Sequence, residues 1–497
     1  MGEFAWISWT LFGLDWLVRI SLALRVILRR TPVPTTLAWL LVLLLVPVLG
    51  WVAYALVGEN RLGSRRAARA QRLATEIMTH AAPLWTRGTQ GFPDAMRPYE
   101  HLASLCSLSS GTPALSGNAV EIVSEWDPLI DALVRDIDGA TRTVHLLFYI
   151  WGDAGRTADV ADALVRASAR GVKCRVLVDA VGSLDFVGSA MWERLGRAGV
   201  ELVEALPVNP LRLLLARVDL RNHRKIAVID ARVAYAGSHN LVEPGFKQRG
   251  TRKLGLYVDA TARLRGPAVQ ALQTAFLSDW LLDSDDEVTD VEKQLSDLLR
   301  LDEDSADVAN GGGGGASIVH VVPTGPGMDP LAIHHALLAT IHSAREELVM
   351  TTPYFVPDEA TKAAIIVAAR RGVAVTLVLP ARSDHPIVCA AARSHYQDLL
   401  DAGVRIMHFT AGLLHSKTVT VDRRVALIMS ANFDMRSFFL NYEVSLFIYD
   451  DDFASVLRFL QVSYIEQSTE VTRESWATRT LLRRFGDNVA QLLSPLL

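Results

Sequence analysis

Two histidines in this chain each stand two residues ahead of a lysine: His223 with Lys225, and His415 with Lys417. Each pair opens a longer pattern. Four residues separate Lys225 from Asp230, and six more lead to Gly237-Ser238-His239-Asn240. Lys417, Asp422 and Met429-Ser430-Ala431-Asn432 repeat those spacings, so both copies read H-x-K-x4-D-x6-G-S-x-N except at Met429. Six fixed positions would agree by chance at roughly one site in 10⁷ to 10⁸. Two copies in one chain are therefore not coincidence.

The residue types suit exchange at a phosphodiester. An imidazole can serve as nucleophile or as acid and base. A lysine supplies charge for a phosphate, and Ser238, Asn240, Ser430 and Asn432 offer donors to it. Two histidines are needed: one attacks phosphorus, and the other protonates the leaving alkoxide and later deprotonates the incoming alcohol. Two lysines with polar donors can carry the developing charge. No carboxylate cluster has divalent-ion spacing, so neither a metal nor a cofactor is expected.

Strands must position these groups. Ile226–Ile229 and Thr418–Val421 are strand-forming runs, and residues two apart on a strand share a face. Each histidine thus projects with its lysine, while Asp230 and Asp422 fall on the opposite face or at the strand end, as organising charges. Around the motifs the chain repeats itself. Ala163–Gly171 leading into Val172–Val178 matches Ala364–Gly372 leading into Val373–Leu379, and Ala198-Gly199-Val200 matches Ala402-Gly403-Val404. Each reads as a helix ended by a left-handed glycine, then a strand. The fold class is α/β: two similar domains in a pseudo-two-fold arrangement, which would bring the two motifs face to face. Acidic residues (Asp283, Asp285, Asp286, Glu287; Asp302, Glu303, Asp304, Asp307) and Gly311–Gly315 mark a linker. The division is 71–283, linker 284–316, and 317–497.

Residues 1–70 differ in kind. Thr35–Val57 has no charge, and at about 1.5 Å per residue it could cross a bilayer as a helix despite Pro47. Phe4–Leu24 is apolar but carries Asp15 and Arg19, with Trp6, Trp9 and Trp16 suited to an interface. It reads as a first span or as a helix lying in the headgroups. Glu3 and the lack of a small-residue cleavage site exclude a removable signal peptide. Arginines after the second segment (Arg61, Arg65, Arg66, Arg69, Arg72) outnumber those before it, which places the large domain on the cytoplasmic side. Half of the residues are hydrophobic and the net charge is −4, which argues against a nucleic-acid surface. Cys106, Cys174 and Cys389 share no metal-like spacing and read as buried thiols.

The doubled His-Lys-Asp motif resembles the signature of the phospholipase D superfamily. The whole chain more closely resembles the bacterial cardiolipin synthases, through Gly58–Gly63, Phe148–Trp151, Leu220–Lys225, Phe246–Gln248, Thr351–Pro357 and Asn432–Ser437. The resemblance implies that two phosphatidylglycerols give cardiolipin and glycerol through a phosphohistidine. It also implies a multi-pass protein of the bacterial inner membrane. Asp259 and Glu443 match the acidic residues that support the histidines, and similarity makes His223 the nucleophile and His415 the acid and base. A hydrolase of the same superfamily, releasing phosphatidic acid, differs only in using water to resolve the intermediate.

Some features keep two readings. Met429, where the first copy has Gly237, either narrows the pocket or is simply tolerated. Leu211–Leu215, with Pro207 and Pro210 nearby, is either a loop that dips into the membrane or an ordinary core helix. Lys247, Arg249, Arg252 and Lys253 either hold headgroups or are solvated. His239 and the pair His334-His335 read as structural.

Overall fold

The computed structural model describes residues 2–29, 33–59, 64–85, 91–207, 217, 219–246, 255–284, 315–383 and 385–492. The leucine-rich stretch 211–215, the basic loop 247–253 and most of the expected linker lie outside the described residues.

The first half carries β1 (Ala114–Val123), β2 (Thr143–Phe148), β3 (Lys173–Asp179), β4 (Glu201–Ala205), β5 (Lys225–Ile229), β6 (Val233–Gly237), β7 (Tyr257–Val258) and β8 (Thr261–Arg265). The second carries β9 (Ser317–Thr324), β10 (Glu347–Thr351), β11 (Phe355–Val356), β12 (Ala374–Pro380), β13 (Arg405–Phe409), β14 (Leu413–Leu414), β15 (Thr418–Val421), β16 (Val425–Met429), β17 (Phe433–Asp434), β18 (Glu443–Tyr449) and β19 (Ser468–Val471). Fifteen strands form one mixed sheet in the order β19-β13-β12-β10-β15-β16-β18-β9-β1-β8-β6-β5-β2-β3-β4. Apart from β19, that order reads the same from either edge, and β1 pairs antiparallel with β9 at the centre.

The local sequence explains these elements. The glycines expected to end helices are left-handed, with φ of 86° at Gly171 and 93° at Gly372. Alternate residues of β5 and β6 face opposite cores: Ile226, Val228, Ala234 and Ala236 on one side, Ala227, Ile229 and Tyr235 on the other. The first of these cores is shared with β9, β16 and β18, under the helices Ala268–Asp283 and Asp451–Glu466. One continuous apolar layer thus binds the halves together. The helix Glu100–Ser110 lies early in the chain yet packs into the second half's core through Leu102, Ala103 and Cys106.

At the N-terminus the helix Gly2–Leu28 packs against Val33–Leu45 and Leu49–Val57. Its charges turn toward that partner. Arg19 donates to the Leu44 carbonyl at 3.0 Å, Trp51 Nε1 donates to Asp15 at 3.2 Å, and Arg25 pairs with Glu59 at 2.6 Å. Leu11, Phe12, Leu14, Leu17 and Leu24 remain exposed outside. The expected single span over 35–57 is interrupted: Pro47 cannot donate to the helix ladder, and Val48 adopts φ 55°. Among the described residues no helix is long and apolar enough to cross a membrane.

Candidate active site

Both motifs arrive at one cavity of about 370 Å³, whose wall includes His223, Lys225, His415, Lys417, Asn240 and Asn432. His223 lies just before β5 and His415 just before β15, the strands that occupy equivalent places in the two halves of the sheet. Lys225 Nζ donates to the His223 carbonyl at 2.5 Å, and Lys417 Nζ to the His415 carbonyl at 2.6 Å. Each lysine therefore lies folded beside its own histidine. Burial depresses both ammonium groups, Lys225 to about 8 and Lys417 to about 7.

The carboxylates cross between the halves. His415 Nδ1 lies 2.6 Å from Asp259 Oδ1, and His223 Nδ1 lies 3.2 Å from Glu443 Oε1. A proton on Nδ1 directed at the carboxylate leaves the chemistry to Nε2, as a lone pair on a neutral ring or as an N–H on an imidazolium. Burial opposes the charge on Asp259, yet His415 and the neighbouring cations hold its carboxyl well below the usual range. Burial likewise opposes the charge on Glu443, which His223 and Lys225 keep below its ordinary value. Burial, only partly offset by Asp259, pushes the His415 imidazole down.

Backbone pairing produces this crossing. The His415 N–H donates to the Val258 carbonyl at 2.8 Å, and β14 runs parallel to β7. The His223 N–H donates to the Tyr442 carbonyl at 2.9 Å, through a parallel bridge between Asn222 and Tyr442. The residues leading into each histidine are thus zipped to those leading into the other half's carboxylate.

The other expected residues take defined places. Asp230 accepts the N–H groups of Thr141, Arg142 and Thr143, each at 2.8 Å. Asp422 accepts those of Arg345, Glu346 and Glu347 at 2.8–2.9 Å. Both aspartates sit at positive φ (52° and 50°), so these bonds compensate the strain of a tight turn without glycine. Neither aspartate lies in the cavity wall. Ser430 lines the cavity, and both serines are held by the site's carboxylates. Ser238 Oγ donates to Asp259 at 2.6 Å and Ser430 Oγ to Glu443 at 2.5 Å, because the adjoining strand ends place hydroxyl and carboxylate side by side. Asn240 accepts from the Ile150 N–H at 3.2 Å.

Gly237 and Met429 differ for a steric reason. A Cβ on Gly237 would lie 2.4 Å from the Ala260 carbonyl oxygen and 2.6 Å from Thr261 Cα. The Met429 side chain is fully buried in the second half's core and is absent from the cavity wall. It is a packing residue.

Several contributors were not anticipated from the sequence. The Tyr149 ring lies 4.1 Å from the His223 ring, with Lys225 Nζ 5.2 Å from its centre, and Tyr257 meets His415 edge-on at 5.5 Å. Arg224 lies inside the motif and is completely buried. It pairs with Asp279 at 2.7 Å and donates to the carbonyls of Glu443 and Thr324, both at 2.9 Å. Strand alternation between His223 and Lys225 was the signal that would have sent it to the opposite face. His239 is buried, contacts Thr261 Oγ1 at 2.9 Å and reaches the cavity wall.

The site is thus two imidazoles with crossed carboxylates, two buried lysines beside them, and a shared opening. Comparison with known proteins gives this arrangement a family context. The pattern of the family described as "Cardiolipin synthase, PLD-like domain" matches residues 133–280 and 337–459. One described as "Phospholipase D-nuclease N-terminal" matches residues 20–59. Cardiolipin synthase A of Serratia proteamaculans is 36% identical over 491 residues, covering 99% of both chains. That of Pectobacterium atrosepticum is 37% identical over 497 residues, again covering 99% of both. The crystal structure of phosphatidylserine synthase from Haemophilus influenzae covers 80% of this chain and 100% of its own, with TM-score 0.56 and 14% identity, a likeness of fold.

Proposed function

The chain belongs to the cardiolipin synthases of the phospholipase D superfamily, and from that premise we propose that it joins two phosphatidylglycerols into cardiolipin and glycerol. One observation carries the reading: a single cavity holds two histidines from equivalent motifs, each with its Nδ1 beside a carboxylate of the other half.

The His223 Nε2 lone pair attacks the phosphorus of the first phosphatidylglycerol, and the bond from phosphorus to the headgroup oxygen breaks. His415, which enters the cycle as an imidazolium paired through Nδ1 with Asp259, gives its Nε2 proton to the departing glycerol alkoxide. His415 then takes the proton from a headgroup hydroxyl of the second phosphatidylglycerol. The resulting oxygen attacks phosphorus, the phosphorus–nitrogen bond breaks, and His223 is restored. The shorter contact of His415 with Asp259 suits the ring that carries the shuttled proton. Lys225 and Lys417 bind the phosphate oxygens and stabilise charge as it builds on them. Ser238 and Ser430 position Asp259 and Glu443.

The equivalent units are 71–283 and 317–497, joined through 284–316 and related by an approximate two-fold axis. Residues 1–70 form the membrane anchor of an inner-membrane protein, with the cavity on the cytoplasmic side. The inward pairing of Asp15, Arg19 and Arg25 and the apolar outer surface of the helix Gly2–Leu28 support that setting.

The test is an assay on the full chain in proteoliposomes with phosphatidylglycerol labelled in its headgroup or its acyl chains. Cardiolipin with stoichiometric free glycerol is expected. Phosphatidic acid as the sole acyl product would make water the acceptor and overturn the transferase reading.

A further inference from the structure

The C-terminal helix Leu481–Leu492 presents an apolar stripe to the outside. Leu481, Leu482, Phe485 and Leu492 are between 67% and 81% exposed, and Val489 joins them at 41%. At about 100° per residue all five fall within an arc of about 100°. The opposite side holds Asp487 and Ala490, both buried: Ala490 packs with Val356 and Ala391, while Asp487 pairs with Arg393 at 2.8 Å and with Arg479. The only acidic residue of this helix is therefore turned inward and neutralised. Arg484 is exposed and stands beside the stripe; Arg483, also exposed, falls toward the opposite side.

The helix is linked to the active site through its neighbour. The helix packs on Pro386–Ser394, which begins immediately after His385 of the cavity wall and exposes Ile387. The anchor reaches the same end of the sheet. Arg66, near the start of the helix Ser64–Trp85, pairs with Asp283, and Arg69 donates to the Ser284 carbonyl at 3.0 Å. Asp283 also accepts the Leu206 N–H just past β4, at the same end of the parallel strands as Tyr149 and Asp179.

We propose that Leu481–Leu492 is an interfacial helix that lays its apolar stripe into an anionic phospholipid bilayer and holds the cavity mouth against the lipid surface. Apolar residues on one side, an exposed arginine beside them and the helix's one acidic residue turned inward are what an anionic interface selects. The helix on which Leu481–Leu492 packs begins beside a wall residue of the cavity, whose substrate, on the reading above, is itself an anionic lipid. The N-terminal segment tethers the enzyme, whereas this helix orients it, so the lipid phosphate meets the histidines without leaving the headgroup layer.

The experiment uses the full chain with Cys389→Ala, to remove the one partly exposed thiol, and Phe485→Cys carrying an environment-sensitive fluorophore. A label at Ser104→Cys, on the exposed side of another helix, is the control. In proteoliposomes of phosphatidylcholine and phosphatidylglycerol, the label at 485 should shift to the blue, be quenched by brominated acyl chains and resist aqueous iodide. The label at 104 should do none of these. Unlabelled Leu482→Glu/Phe485→Glu should lose about tenfold in kcat/KM on bilayer phosphatidylglycerol, in line with the burial of two large apolar side chains, and keep its rate on micelle-dispersed lipid. Iodide access at 485 with no lipid quenching would overturn the proposal. So would shielding that follows protein concentration rather than lipid, which would assign the face to a second copy. Lipid quenching without cardiolipin formation would leave the docking intact and overturn the reaction instead.

Discussion

In the second half, His415 Nδ1 has one close partner, Asp259 at 2.6 Å, whose other neighbours are Ser238 and a cluster of cations. In the first half, His223 Nδ1 lies 3.2 Å from Glu443 and also 3.2 Å from the Asn441 amide, with a tyrosine ring 4.1 Å away. The same residue types at the same spacings are thus held with different tightness. A ring fixed by a short contact to a carboxylate suits the repeated gain and loss of a proton. A ring with a looser partner suits the motion of bond formation to phosphorus. The two equivalent motifs thus hold their histidines in different carboxylate surroundings, and on the proposed mechanism that difference separates their tasks.

The largest effect that could break this division comes from the histidines. His223→Ala and His415→Ala should each lower cardiolipin formation by about 10⁴-fold or more, the scale of losing a nucleophile or an acid–base group. The two losses should differ in kind. Acid quenching with phosphorus-labelled lipid should trap a phospho-enzyme in His415→Ala and none in His223→Ala; the reverse pattern would exchange the roles.

Removing the carboxylates sharpens the comparison at a smaller scale. Asp259→Asn should cost about 10²-fold in kcat and Glu443→Gln about tenfold, within the range for removing support from an acid–base group. Equal losses would show that the difference in distance carries no functional weight.

The motif's one departure should separate stability from chemistry. Met429→Gly removes a fully buried side chain and should destabilise the protein by about 2–5 kcal/mol, with the turnover of folded protein retained. Gly237→Ala should cost stability by about 1–3 kcal/mol, because its Cβ would press on the Ala260–Thr261 backbone. It should also lower turnover through the adjoining Ser238–Asp259 contact. Denaturant midpoints beside kcat would distinguish the two.

The smallest effect is in pH dependence. Burial depresses Lys417 to about 7 and Lys225 to about 8, so both lose their protons as pH rises through that range in the free enzyme. Capture of an anionic phosphodiester then weakens, and kcat/KM should fall roughly tenfold per unit from about pH 7, where Lys417 loses its proton, and more steeply above about pH 8. Lys417→Arg, whose charge does not titrate there, should move that limb upward. An unchanged profile would remove the second-half lysine from phosphate binding.

Much of this was legible in the sequence because strand periodicity and motif spacing are local. His223, Lys225, His415 and Lys417 share one cavity as their alternation required, and Asp230 and Asp422 close turns behind it. The partners of Ser238 and Ser430 were not legible. Their direction depends on β8 and β18, whose register no local pattern states. Arg224 was hidden for a related reason: its buried pairing with Asp279 depends on a helix far along the chain. In the N-terminal segment hydropathy marked the apolar run, but the backbone break at Pro47 follows from a missing donor that hydropathy does not count.

The crossed pairing has a further consequence in time. The contact of His415 with Asp259 spans 156 residues, and that of Asn441 with His223 spans 218. Loop-closure entropy delays contacts of such high order until most of the chain is in place. Turnover should therefore be the last signal to return on refolding, after the helical and strand signals of both halves. A nascent or half-folded chain would present no paired histidines to the lipid, so the phosphohistidine could not form before the fold that guides it to an alcohol.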